Sequence, residues 1–221
     1  MMAHDLNETD LVERRAAVHG LLQACSNLRV EYQRRSRDNA PNHNVFRLLR
    51  IERSEVGLHS PFLADLLDPF GSHGQGTVFL RNFFDMLARH EQKFVDLTAA
   101  VRETAPPSEW IVERERGRID ISIRSRRAGL LMFIENKIDA GEQYDQLTRY
   151  RSRLERQGSY DHRFLVYLSP KNSGQPQTGT PHICLTYEED IVKWLKSCAI
   201  PDMPKHVLTN LQQYLEIISN L

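Results

Sequence analysis

The chain has 221 residues, 40% hydrophobic and 26% charged, with 29 Lys or Arg against 29 Asp or Glu and a formal net charge of +0. That length supports one substantial core, the composition is that of a soluble globular protein, and the balance excludes a whole-molecule attraction to nucleic acid or membranes. Cys25, Cys184 and Cys198, with no Cys-x-x-Cys spacing, exclude a disulfide framework and a zinc ribbon.

No run approaches the roughly 18 apolar residues that span a bilayer, and the first residues carry no apolar stretch of the signal-peptide kind. The expectation is a cytoplasmic protein with no membrane partner. Residues 1–221 are expected to form a single domain, mainly helical over 1–105 and built on a mixed sheet over 106–221.

From Thr9 to about Arg37 the sequence predicts one long helix, with Leu11, Val18, Leu21, Leu22, Cys25 and Leu28 at helical spacing. Asp38 to Asn42, with Pro41, breaks it. A second helical run, Val45 to Ile51, leads through Glu52 and Glu55 and stops near Gly57. Ser60 before Pro61 reads as an N-cap with Pro at the first helical position. The glycine-rich stretch Asp68 to Gly76 then precedes a helix from Thr77 carrying Phe79, Phe83 and Phe84 as core residues. Backbone N–H groups at that helix start could bind a phosphate, but the Gly-Lys-Ser/Thr ending of a P-loop is missing, and a tight turn accounts for the glycines as well. His59 and His73 read as structural hydrogen-bonders before they read as ligands.

After Pro106-Pro107 the pattern changes to strands. Trp110-Ile111-Val112 is one, Ile119 to Ile123 a second, and Leu130 to Asn136 a third, with a polar, glycine-ended link between the last two. Asp139 to Glu142 matches a capping box and should open a helix running to about Gln157. Arg163 to Leu168 and His182 to Leu185 are further strands. Thr186 with Glu189 makes a second capping box before a helix to Cys198, and a last helix begins near Lys205. The order predicts an α/β protein with a mixed sheet flanked by helices.

The hairpin carries the chemistry. Folding it brings Asp120 alongside Glu135, and Glu135 and Lys137, two apart, share a face. Paired carboxylates supply hard oxygen ligands for Mg²⁺ or Mn²⁺, with the backbone carbonyl of Asn136 as a further ligand, and a nearby Lys can orient the attacking water or steady developing negative charge. A salt bridge within the same three residues fits the spacing equally well. Gln146 and Tyr150, four apart, share a face of the next helix and could overlook the carboxylates; Tyr150 could instead pack with Leu147 and Leu154 while Gln146 is solvated.

Gly-Arg-Ile-Asp120, Ile-Glu135-Asn136-Lys137 and Gln146-x-x-x-Tyr150 together resemble the PD-(D/E)XK nuclease superfamily, the last element being similar to that of its RecB-like and Cas4-like branches. Upstream, Glu55-x-x-x-His59-Ser60-Pro-Phe and the stretch to Gly76 resemble the N-terminal signature of a bacterial group within it. Ile119 replaces the motif's Pro, its least chemically necessary letter. The resemblance implies a restriction-endonuclease-like fold. It also implies a metal-dependent deoxyribonuclease in which Asp120, Glu135, Asn136 and Glu55 hold Mg²⁺ or Mn²⁺, Lys137 acts on the attacking water, and Gln146 and Tyr150 complete the pocket. Arg116, Arg118, Arg149 and Arg153 would grip the DNA backbone. A homodimer and a role in defence against foreign DNA follow from the same resemblance, with repair as the alternative role. A non-cleaving nucleic-acid- or partner-binding module on the same fold is the alternative function, and RNA the alternative polymer.

Overall fold

The computed structural model describes residues 8–40, 42–91, 94–95, 106–139, 145–173, 176, 179–198 and 202–221. The chain divides into two compact units, Met1–Asn44 and Val45–Leu221. The first is the helix α1 (Glu8–Asn39), two residues longer than its sequence signals at the C-terminal end and closed by Ala40 at a positive φ of 41°. Its apolar residues Leu11, Val18, Leu21, Leu22 and Leu28 are all exposed.

The second unit is built on one five-stranded sheet, β1 (Ile111–Arg116), β2 (Ile119–Ser125), β3 (Leu130–Asn136), β4 (His162–Ser169) and β5 (Ile183–Thr186), in the order β1-β2-β3-β4-β5. β1, β2 and β3 pair antiparallel; β3 with β4 and β4 with β5 are parallel. The expected mixed sheet is therefore present. β3 is buried at every position, which explains its nearly unbroken apolar sequence: a central strand covered on both faces loses the polar alternation of a half-exposed one. Gly117 and Arg118, both at positive φ (65° and 71°), turn β1 into β2, the primed geometry that matches strand twist.

Helices cover the two faces unequally. On one face α3 (Ser60–Leu67), α4 (Val78–Leu87), α6 (Val192–Cys198) and α7 (Lys205–Ile218) pack with Ile121, Ile123, Met132 and Ile134 in a large core. That core takes residues from both sides of Pro106-Pro107. On the other face α5 (Gln146–Glu155) closes a smaller core through Leu147, Tyr150 and Leu154 against Leu131, Phe133, Leu165 and Tyr167. Among the described residues, no helix is long and apolar enough to cross a membrane.

Several local expectations are corrected. The second helical run is only α2 (Val45–Leu48), ended by Arg50 at a φ of 55°. Glu55–His59 is instead a single π turn, opened by Ser54, whose Oγ accepts from the Gly57 N–H at 2.9 Å, and running straight into α3. Ser60 is consequently helical and is not an N-cap. The Asp139 carboxylate accepts from Arg53. The helix start that it was expected to cap, residues 140–144, lies outside the described residues, and α5 begins at Gln146. At Thr186 the side chain that closes the turn is Asp190, whose Oδ2 accepts from the Thr186 N–H at 2.7 Å, while Glu189 reaches Lys171.

Candidate active site

β2 and β3 stay in register as far as Ile121 opposite Ile134. One step further, the Asp120 carboxylate takes over from the backbone, its Oδ2 accepting from the Asn136 N–H at 2.7 Å. Ile119 and Ile121 are two apart yet enter different cores, so β2 twists sharply at Asp120. Glu115, a non-glycine residue at φ of 52° within β1, sits beside that twist. Such conformations persist only where the surroundings enforce them and are concentrated at functional sites.

Glu135 is fully buried. Its Oε1 receives Lys137 Nζ at 2.9 Å and Gln146 Nε2 at 2.5 Å, while its Oε2 has no hydrogen-bond partner among the described residues. Gln146 Nε2 also meets the Tyr150 hydroxyl at 3.0 Å, and that hydroxyl donates to the Arg118 carbonyl. Tyr150 thus packs in the smaller core and braces the cluster at once. Lys137 reaches toward Glu55 as well, at 3.8 Å, and Glu55 Oε1 accepts from the Ile138 N–H at 2.7 Å.

Burial pushes the Glu135 carboxyl up to about 7, and the neighbouring Asp120 charge adds to it against the opposing pull of Lys137. Burial also raises Asp120, partly offset by the Asn136 N–H. For Lys137 burial works the other way, but the hydrogen bond to Glu135 and the charges of Glu135, Glu55 and Asp120 outweigh it and hold the amine above its ordinary value. At neutral pH Lys137 is therefore a fixed positive charge.

A buried polar chain stands behind this cluster. Asn136 Nδ2 donates to Ser60 Oγ at 3.0 Å, and its Oδ1 accepts from the Tyr187 hydroxyl at 2.6 Å. His59 bonds the Tyr214 hydroxyl at 3.0 Å through Nδ1 and the Glu52 carbonyl at 2.9 Å through Nε2. Burial drives His59 down to about 4, so its imidazole is neutral. Both histidines are structural: the His73 Nδ1 accepts from the Gln75 N–H at 2.9 Å and Nε2 meets the Asp68 carbonyl at 3.0 Å. The glycine-rich stretch uses its own N–H groups, Phe70 and Ser72 donating to the Asp68 and Asp65 carboxylates, so the tight-turn reading holds there. Sequence reasoning missed Ser60, Tyr187 and Tyr214. Ser60 carried a capping signal that masked its role, and the tyrosines carried only apolar periodicity.

The structure brings together Glu55, Asp120, Glu135, Lys137, Gln146 and Tyr150, with the Asn136 backbone N–H on Asp120. The arginines are more scattered. Arg118 and Arg149 are exposed, and the side chain of Arg116 lies outside the described residues. Arg153 is half-buried, donating to the Gly117 carbonyl at 3.0 Å with its guanidinium 5.7 Å from the Phe133 ring centroid.

Among the described residues, no three His, Cys, Asp or Glu side chains converge as a metal-ligand cluster. Lys137 intervenes between Glu135 and Glu55, and Glu55 is drawn to the Ile138 N–H. Asp120 and Glu135 nevertheless fit a hard divalent cation. They are adjacent carboxylates of raised pKa, and the buried Glu135 Oε2 is a ligand atom without a partner among the described residues.

A model of the PD-(D/E)XK nuclease superfamily matches residues 43–217. Neither the curated proteins nor the solved structures gave a match. The match covers most of the chain, including the whole sheet, and the architecture is the restriction-endonuclease-like α/β fold.

Proposed function

The chain belongs to the PD-(D/E)XK nuclease superfamily, and from that premise we propose that it hydrolyses phosphodiester bonds in DNA with a divalent metal, Mg²⁺ or Mn²⁺, held by Asp120 and Glu135. Glu55 and the Asn136 carbonyl would complete the ligand set. A cation held there supplies Lewis acidity toward the phosphate and lowers the pKa of a bound water.

The protein's own groups do the rest. Gln146 fixes Glu135 Oε1 and so leaves Oε2 for the ligand role. Tyr150 fixes Gln146 in turn. Lys137, protonated, sets positive charge where negative charge grows on the phosphate oxygens and orients the attacking water through its remaining N–H donors. The Asn136 N–H holds Asp120 in place. Arg118 and Arg149 contact the polymer backbone.

One observation carries this reading: the buried Glu135 Oε2 has no hydrogen-bond partner among the described residues. An ion pair kept for stability would satisfy both carboxylate oxygens, since an unsatisfied buried polar atom costs about 1–3 kcal/mol. Within this reading the enzyme is cytoplasmic, acts as a homodimer, and serves defence against foreign DNA.

A cleavage assay on linear, circular and single-stranded DNA and on RNA, with Mg²⁺, Mn²⁺ or EDTA, tests it. Metal-dependent DNA cleavage should fall at least about 100-fold in Asp120→Ala, Glu135→Ala and Lys137→Ala. Wild-type rates in Glu135→Ala would refute the mechanism. Salt-dependent DNA binding without cleavage under either metal would establish the non-cleaving binding module in its place, and cleavage confined to RNA would reassign the polymer.

A further inference from the structure

The π turn that carries Glu55 is tied to the segment leaving β3 on both of its sides. After the turn the tie is buried: Ser60 Oγ accepts from Asn136 Nδ2 at 3.0 Å. Before it, beside Glu55, the tie is an exposed ion pair. Arg53 Nε donates to the two Asp139 carboxylate oxygens at 2.9 and 3.0 Å, and a terminal guanidinium nitrogen donates to Oδ1 as well. Arg53 Nη1 also reaches the Leu221 carbonyl at 3.4 Å. Between the two ties, Glu55 Oε1 accepts from the Ile138 N–H at 2.7 Å, and its Oε2 lies 3.8 Å from Lys137 Nζ. Residues 53 and 55 thus meet 139, 138 and 137 in reverse order, through side chains. Among the described residues, no backbone–backbone hydrogen bond joins the two segments.

The side chains of the ion pair are 47% and 58% exposed, and solvent and salt screen such pairs until they add little to stability. A forked guanidinium–carboxylate contact supplies orientation instead, because several donors fix how the two groups stand to one another. Here the partners are 86 residues apart in the chain. Arg53 is two residues from Glu55, and Asp139 is two residues from Lys137. The chain enters the π turn through Arg50 at a φ of 55° and an irregular turn, so no regular element leads up to Glu55. Isolated π turns are uncommon and concentrate at functional sites. This one presents its first residue to the cluster, and the exposed fork is what ties that side of it down.

We propose that Arg53 and Asp139 are a positioning pair that sets the Glu55 carboxylate in the cluster. The pair acts through Glu55 and takes no part in the chemistry itself. That Glu55 meets a metal rests on the nuclease reading above, but its placement by the pair is tested without metal or substrate.

Arg53→Gln and Asp139→Asn in the full chain test it, by Mn²⁺ titration calorimetry, thermal unfolding in EDTA and hydrogen exchange of the Ile138 amide. Each substitution should weaken Mn²⁺ binding about tenfold, while the Tm in EDTA falls by less than about 4 °C. Arg53→Lys keeps the charge but loses the fork, and its affinity should fall between wild type and Arg53→Gln. In a Glu55→Gln background neither substitution should weaken Mn²⁺ binding by more than about twofold, because the carboxylate through which the pair acts is already gone. Without metal, the Ile138 amide of Arg53→Gln should exchange about tenfold faster than in wild type. A shared effect of Asp139→Asn separates the pair from the Leu221 contact. Wild-type Mn²⁺ affinity and wild-type Ile138 exchange in Arg53→Gln, or an equal loss in the Glu55→Gln background, would overturn the proposal while leaving metal-dependent cleavage by the wild type untouched. If the wild type neither binds Mn²⁺ nor cleaves, yet Arg53→Gln frees the Ile138 amide, the pair stands and the nuclease reading falls.

Discussion

Replacing Glu135 by Gln separates a metal site from a structural salt bridge, because the two make opposite demands on the carboxylate. In the metal-free protein Glu135 titrates near 7 against an ordinary 4.5, mainly through burial and then through Asp120. A folded-state pKa above the unfolded one contributes stability that is fully present below about 4.5 and is lost as pH rises through about 7. The shift corresponds to about 3 kcal/mol lost by pH 8. The amide of the Glu135→Gln variant never ionises, and its carbonyl can still accept from Gln146 and Lys137. Without metal, Glu135→Gln should therefore be more stable than wild type by about 3 kcal/mol at pH 8, and by less than about 1 kcal/mol at pH 5. For a chain of this size that is a Tm higher by roughly 6–12 °C at pH 8. Thermal unfolding in EDTA from pH 5 to pH 9, followed by circular dichroism, measures it. Adding Mg²⁺ or Mn²⁺ should raise the wild-type Tm and leave the variant's nearly unchanged. A variant less stable than wild type at pH 8, or an offset independent of pH, would show that ionised Glu135 is already satisfied by Lys137, and the cluster would be a structural ion pair.

Tyr187→Phe removes the donor to Asn136 Oδ1 and leaves a buried acceptor unsatisfied, so stability should fall by about 1–3 kcal/mol. Urea unfolding checks this, and an unchanged midpoint would mean that Asn136 does not depend on Tyr187. Gly71→Ala should cost at least about 2 kcal/mol, because a Cβ there would overlap the Asp65 carbonyl and stand 2.9 Å from the His73 ring. A thermal midpoint within error of wild type would show that the loop yields more easily than its packing implies.

Most of the sheet was legible because its signals are local. Hydrophobic runs and glycine-ended turns placed the strands close to their observed bounds, β1 excepted at its far end, and the hairpin's spacing alone was enough to bring Asp120 to Glu135. Gln146 was legible for a similar reason, since four-residue spacing fixes a helix face whatever the tertiary structure. What escaped were features set by long-range contact. The π turn at Glu55–His59 has no spacing signature distinct from a short helix. Ser60 carried a good cap signal, yet the helix is entered from that π turn and the hydroxyl serves Asn136, 76 residues away. Nothing local announced that the Asp139 carboxylate would also receive Arg53, 86 residues away. That Arg153 also donates to the Gly117 carbonyl had no local signal.

The place of the site follows from the mixed pairing of β3. On its β4 side the parallel ladder continues past the strand end, the Lys137 N–H donating to the Leu168 carbonyl at 2.8 Å. On its β2 side the antiparallel ladder stops at Ile121–Ile134, and a side chain, Asp120, takes the next N–H. One edge of β3 is thus still held by backbone while the other has opened. The opened side gives Asp120 its place beside Glu135, and the held side keeps Lys137 pointing along the same face as Glu135, 2.9 Å from its Oε1. The strand whose two neighbours run in opposite directions is where a buried carboxylate pair and an amine can be assembled at a strand end, the position at which open α/β sheets present their ligands.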